Sequence, residues 1–384
     1  MKILIIHNNY TSRGGEESVV EFQTKLFREM GHEVILYQKQ NIKYSNILKK
    51  ICRFMNGFFN VKSYFEMRRI IKANKPDVAI VHNLYHLITP SALIPLKRAS
   101  IPVFMVLHNY RVLCPLATMF RGGGICRECM TRDEKEFCCV LNNCTNNLAE
   151  SIFVSLRNLF VRKSHILTKN VDTFIALSEF QKNVLVSYGF KASQITVIPN
   201  AINIDTTTPL SMPKDDYLAF VGRMTPEKGI DVLFDLALRM PDIKFKVAGD
   251  NTIPQHIKAP LNIEFCGYLS SDLLSAFYTK AVALVMTSKC YEGFPVVVLE
   301  AFKHKTAVIV PRLGAMPNIV DDNINGMVYD AFELGLLVDR IRATSKYDFE
   351  TMGIKGYQKI EGNYDSMTYY NSYINLFEND RRGL

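Results

Sequence analysis

Glu292-Gly293-Phe294-Pro295 follows an apolar segment and leads into Val296-Val297-Val298-Leu299-Glu300-Ala301-Phe302. Pro295 suits the first position of a helix because it has no N–H to leave unpaired. Gly293 lets the backbone approach a ligand closely. The unpaired amides of such a helix start favour an anionic or polyhydroxyl ligand. Glu292 in the loop and Glu300 in the helix can then turn toward one crevice, where carboxylates accept pairs of hydroxyls.

A second cluster, Gly222-Arg223-Met224-Thr225-Pro226-Glu227-Lys228-Gly229, follows the apolar run Tyr217–Val221. Its guanidinium and ammonium could clamp a diphosphate; taken singly, each reads more simply as a solvated surface charge. A third, Gly14-Gly15-Glu16-Glu17-Ser18, opens a helix after the first apolar run, although a lone glycine pair is a weak signal. His108 ends the run Val103–Leu107, either aimed at a cleft or bonded structurally to a neighbouring loop.

These residues need strands to present them. Short apolar runs alternate with helical stretches, the pattern of parallel α/β sheets. Strands are expected at Lys2–His7, Glu33–Tyr37, Asp77–His82, Val103–His108, Thr173–Leu177 and Thr196–Ile198. The second half supplies Tyr217–Val221, Lys244–Ala248, Ile263–Cys266, Ala283–Met286 and Ala307–Val310. The glycine, arginine and glutamate clusters all fall at carboxyl ends of these strands, where such sheets bind ligands. The pattern restarts after Pro199-Asn200. Residues 1–202 therefore form one domain, 203–364 a second, and 365–384 a terminal helix whose Tyr369–Phe377 stretch packs back on the first. Residues 203–216 are the expected linker.

A chain of 384 residues, 48% hydrophobic and 22% charged, belongs to the globular class and suits two domains. The opening apolar run ends without a cleavage site, and no apolar run reaches membrane-spanning length. A cytoplasmic location with reduced cysteines is expected. The net charge of +9 is uneven: residues 1–200 hold 27 Lys+Arg and 14 Asp+Glu, residues 201–384 hold 19 and 23.

Six of nine cysteines lie in the insertion 114–144: Cys114, Cys126, Cys129, Cys138, Cys139 and Cys144. The Cys126-Arg127-Glu128-Cys129 spacing lets two thiolates share a tetrahedral ion. Cys114 and Cys139, or else Cys138 or Cys144, would complete a structural zinc site, with glycines 122–124 as its knuckle. Simply reduced cysteines are an equal alternative. Residues 43–72 interleave Lys49, Lys50, Arg53, Lys62, Arg68 and Arg69 with Phe54, Phe58, Phe59 and Tyr64, and Ile152–Lys163 is amphipathic. Both suit an anionic membrane surface on the inner face of the cytoplasmic membrane, or an ordinary core-facing helix with a basic outer face. No nucleic-acid-binding module accompanies the charge.

Val221-Gly222-Arg223, Glu227-Lys228-Gly229, Phe265-Cys266-Gly267-Tyr268, Glu292, Glu300, Gly314 and Asn325-Gly326 together resemble the retaining glycosyltransferases of family 4. Gly14-Gly15-Glu16, Gly31-His32-Glu33-Val34, His108-Asn109-Tyr110-Arg111 and Ile198-Pro199-Asn200 extend the likeness more loosely. The resemblance implies the GT-B fold: two facing Rossmann-like, doubly wound parallel-sheet domains with a cleft between them. It implies that Arg223 and Lys228 bind the diphosphate of a UDP- or GDP-sugar and that Glu300 binds the ribose. Glu292 with the backbone of Gly293-Phe294-Pro295 would hold the sugar, Gly14-Gly15 would approach the phosphates, and His108 would sit beside the reacting sugar. His108, Glu292, Arg223 and Lys228 form the implied catalytic set, with no catalytic cofactor. The acceptor would be a glycan or lipid-linked molecule of surface polysaccharide, lipopolysaccharide or glycolipid assembly. Ala201, Asn251, Lys305 and Ala315 depart from positions where the family commonly has glycine. A nucleotide-sugar epimerase or hydrolase, or a non-catalytic sugar-nucleotide-binding partner, would use the same residues differently.

Overall fold

The computed structural model describes residues 1–10, 14–41, 57–133, 135–204, 214–249 and 258–382. Lys49, Lys50, Arg53, Phe54, Asn251 and most of the expected linker lie outside the described residues. The chain divides into two compact units. One comprises Met1–Met119, Arg127–Asn200 and Tyr369–Leu384; the other comprises Phe120–Cys126 and Ala201–Thr368.

In chain order the strands begin with β1 (Lys2–Asn9), β2 (Glu33–Gln40), β3 (Val78–Asn83) and β4 (Val103–Val106). A small hairpin, β5 (Phe120–Arg121) and β6 (Gly124–Ile125), precedes β7 (Thr173–Ala176) and β8 (Ile195–Val197). The first unit's sheet runs β2-β1-β3-β4-β7-β8, all parallel. Ile3–Ile6, Val78–Val81, Val103 and Phe104 are fully buried. Helices cover both faces of such strands, so their sequence is continuously apolar instead of alternating.

The second unit carries β9 (Tyr217–Val221), β10 (Lys244–Ala248), β11 (Ile263–Gly267), β12 (Ala283–Val285), β13 (Ala307–Pro311) and β14 (Gly326–Tyr329). Their order is β11-β10-β9-β12-β13-β14, again all parallel. Chain direction across the sheet reverses between β9 and β12 here, and between β1 and β3 in the first unit. At such a reversal the flanking loops part and leave a crevice.

Eleven strands coincide with the expected apolar runs within a few residues; β5, β6 and β14 are additions. Gly326 begins β14 because a Cβ there would lie 2.2 Å from the Val308 carbonyl oxygen. Glycines 122–124, expected as a knuckle, lie in the β5-β6 hairpin. Gly122 and Gly123, with φ of 60° and 84°, make the two-residue turn between β5 and β6. Pro295 also differs from expectation: it caps the helix Val296–Lys303 from outside, and Val296 is the first helical residue.

The helix Ser366–Arg382 buries Tyr369, Tyr373 and Phe377. Phe377 lies 4.9 Å from the Phe104 ring and Tyr373 5.8 Å from the Phe27 ring, centroid to centroid.

Candidate functional site

In the second unit the loops after β9 and β12 meet. Gly229 turns the first loop with φ +69°, and a Cβ there would stand 1.8 Å from the Thr287 carbonyl oxygen. Thr287 Oγ1 in turn donates to the Lys228 carbonyl at 2.9 Å. This close approach brings Lys228 Nζ to Glu292 Oε1 at 2.6 Å, where Ser288 Oγ also donates at 2.7 Å. Burial by itself would raise the Glu292 carboxyl pKa, but the Lys228 ammonium outweighs it and holds the group below its ordinary value. Burial likewise opposes charge on Lys228, and Glu292 reverses the effect, raising the ammonium pKa. Glu292 Oε2 has no hydrogen-bond partner among the described residues, leaving one acceptor oxygen open.

Arg223 is 57% exposed and rests 3.5 Å from Glu227, a loose surface pair. Its field nonetheless reaches Lys228 and Glu292. Glu300 accepts a 2.7 Å hydrogen bond from the buried Tyr278 hydroxyl, and burial raises its pKa. Gly293 and Phe294, directly after Glu292, are buried. Gly314, at φ +63°, brings its backbone against that of Glu292, with a Cβ contact of 3.4 Å. Lys305, where the resembling family commonly has glycine, adopts φ +52°.

The first unit places His7, His82 and His108 at the carboxyl ends of three neighbouring strands, β1, β3 and β4. His82 Nδ1 lies 2.8 Å from His108 Nε2, and burial lowers both pKa values, that of His108 to about 3. Gly14 caps the helix Gly15–Glu29, but Glu17 occupies that helix end, accepting from Gly14 N and Tyr10 N at 2.9 Å each. Glu16 is pushed up to about 8 by burial and by Glu17. His7 stands 3.7 Å from Glu16 and 3.9 Å from Glu17. A pocket of ≈ 260 Å³ opens beside this cluster, lined by His82, His108, Asn109 and Arg111 and walled by Leu107 and Phe190.

Sequence reasoning missed Ser288, Tyr278, Gln23 and His82. Only His82 carried a signal, since it ends an apolar run just as His108 does. Cys114 and Cys129 lie close enough to Cys139 to act on its thiol electrostatically. Among the described residues no three metal-ligating side chains are grouped to hold an ion. Cys138 and Cys139 are buried free thiols, Cys138 Sγ against the Glu128 carbonyl oxygen at 3.7 Å and Cys139 within hydrogen-bonding reach of Cys144 and Ser155. The amphipathic stretch Ile152–Lys163 lies in the helix Leu148–Ser164, whose Phe153 and Phe160 pack on Phe58 at 5.7 and 6.0 Å. No helix among the described residues is long and apolar enough to cross a membrane.

The family description "Glycosyltransferase Family 4" matches residues 13–206, and "Glycosyl transferases group 1" matches residues 215–345. The chain belongs to glycosyltransferase family 4 and is a glycosyltransferase of the group 1 type. A relative, an uncharacterized 42.6 kDa protein in the cps region of Klebsiella pneumoniae, is 25% identical over 83% of this chain and 87% of its own. Among solved structures, sucrose-phosphate synthase from Thermosynechococcus elongatus superposes with TM-score 0.71 at 15% identity, covering 100% of both chains. Anabaena HepE, solved in complex with UDP and glucose, gives 0.68 at 15% identity over 99% of this chain and 100% of its own. These likenesses establish the GT-B class of two Rossmann-like parallel-sheet domains.

Proposed function

We propose that the chain is a retaining glycosyltransferase that moves a sugar from a UDP- or GDP-sugar to a glycan or lipid-linked acceptor. The supporting observation is the Lys228–Glu292–Ser288 cluster at the strand-order reversal of the second sheet. It combines a charged ammonium, a carboxylate with one open oxygen and a helix start. In this reading Arg223 and Lys228 stabilise the departing diphosphate, and Glu300 accepts from the ribose hydroxyls. Glu292 and the backbone of Gly293-Phe294-Pro295 position the sugar, while Gly14 and Gly15 approach the phosphates. A donor phosphate oxygen takes the proton of the incoming hydroxyl on the same face, so no protein nucleophile is required. Positioning and charge stabilisation supply the rate.

His108 and the pocket beside it serve the reacting sugar and the acceptor. The relative from a cps region supports surface-polysaccharide assembly as the setting. The basic balance of the first half, with Val61 and Phe65 56% and 51% exposed on one helix, supports peripheral attachment to the cytoplasmic membrane. Salt-sensitive co-sedimentation with anionic vesicles is the expected result; no binding at low salt refutes attachment.

Calorimetry against a panel of UDP- and GDP-sugars tests the central reading, followed by NMR of the anomeric configuration in the product. Binding of one donor and retained configuration are expected. No binding across the panel overturns the proposal, and donor turnover indifferent to any acceptor would assign an epimerase or hydrolase instead.

A further inference from the structure

Five polar side chains of the first unit form one continuous hydrogen-bonded chain running from the β-sheet end into the C-terminal helix. His108 Nε2 meets His82 Nδ1 at 2.8 Å, with ring planes 17° apart. His82 Nε2 meets Gln23 Oε1 at 2.8 Å. Gln23 Nε2 donates to the Tyr369 hydroxyl at 2.8 Å, and Tyr369 donates to the Tyr373 hydroxyl at 3.3 Å. Gln23 and His82 are 0% and 4% exposed, Tyr369 and Tyr373 4% and 1%.

A neutral imidazole carries one N–H and one bare nitrogen, so a chain of this kind has a direction. The Gln23 NH2 group donates to the Tyr369 hydroxyl, whose own hydrogen goes to Tyr373. In this orientation the Gln23 carbonyl oxygen faces His82 and can only accept, which puts the His82 proton on Nε2. His82 Nδ1 is then an acceptor, and His108 must donate from Nε2. The remaining nitrogen, His108 Nδ1, is left bare and has no hydrogen-bond partner among the described residues.

We propose that Gln23, His82 and Tyr369 are positioning residues that hold His108 in the Nε2-protonated tautomer, so that it offers an acceptor, not a donor, through Nδ1. The tautomer follows from this unit alone; its use in sugar transfer rests on the function proposed above. A hydroxyl of a bound sugar or acceptor would thus be recognised as a hydrogen-bond donor. Burial keeps both rings neutral, so the tautomer persists through neutral pH.

Long-range ¹H–¹⁵N NMR of histidine-labelled full-length protein reads the tautomer directly, with His108→Asn giving the assignment. The wild type should show a protonated Nε2 and a bare Nδ1 at His108. Gln23→Leu and the milder Tyr369→Phe should each mix the tautomers. Gln23→Glu, which keeps an accepting oxygen, should preserve the wild-type pattern. With the donor identified by the panel, Gln23→Leu should lower kcat by about ten- to a hundredfold, the scale of one lost buried hydrogen bond, with donor KM little changed and Gln23→Glu largely restoring turnover. A protonated Nδ1 in the wild type, or an unchanged tautomer in both Gln23→Leu and Tyr369→Phe, overturns the proposal. A correct tautomer in a protein that transfers no sugar would leave this inference standing and the functional reading refuted.

Discussion

Lys228 and Glu292 are separated by 64 residues in sequence and by 2.6 Å in space. Glu292 is charged in the folded state to a lower pH than in the unfolded chain, so it contributes stability above the ordinary carboxylate range. That contribution is lost as pH falls through its depressed folded value. Glu292→Gln should flatten the acid limb of a melting-temperature profile and lower turnover by about 10²–10³-fold, the scale of one lost transition-state contact. An unaltered acid limb and unaltered turnover would refute both roles. Glu16 behaves oppositely. Its folded-state pKa of about 8 exceeds the ordinary 4.5, so between these values the folded state holds more protons. Stability then falls as pH rises through that window. Glu16→Gln should raise the melting temperature more at the upper end of the window than at the lower; parallel profiles would contradict the assignment.

Gly229 shows how an element boundary controls the site. It ends the 3₁₀ turn Pro226–Lys228 and caps the helix Ile230–Arg239, with its Cα directly against Thr287. Gly229→Ala forces that contact apart and carries Lys228 with it. Gly31 has a similar φ of +81° but open space around it, so Gly31→Ala meets only the backbone penalty of about 1–2 kcal/mol. Thermal denaturation should show the larger loss at Gly229, and turnover should fall only there; equal losses would refute the coupling. The elements themselves were largely legible, because strands covered on both faces leave continuous apolar runs. β14 was hidden by its short length and initial glycine, and β5-β6 by a glycine run read only as a metal knuckle. The Arg223 and Glu300 neighbourhoods were visible as motifs, but Tyr278 and Ser288 carry no local signature.

On the scale of the whole chain, the polypeptide leaves the first unit after Asn200 and returns to it at Tyr369. Phe377 is fully buried there against Phe104 and Phe27. Phe377→Ala should cost about 3–5 kcal/mol by chemical denaturation, as for a buried aromatic in a packed core. A loss below 1 kcal/mol, roughly that of a surface change, would mean that the helix adds little to this core. Sequence alone determined the alternating architecture, the two sheets and the carboxyl-end loops, since apolar periodicity and glycine placement are local properties of the chain. Tertiary structure alone decided that Lys228 meets Glu292 and that His82 lies between His108 and Gln23. These are contacts between segments far apart in sequence, set by strand order and close packing, and no local pattern encodes them.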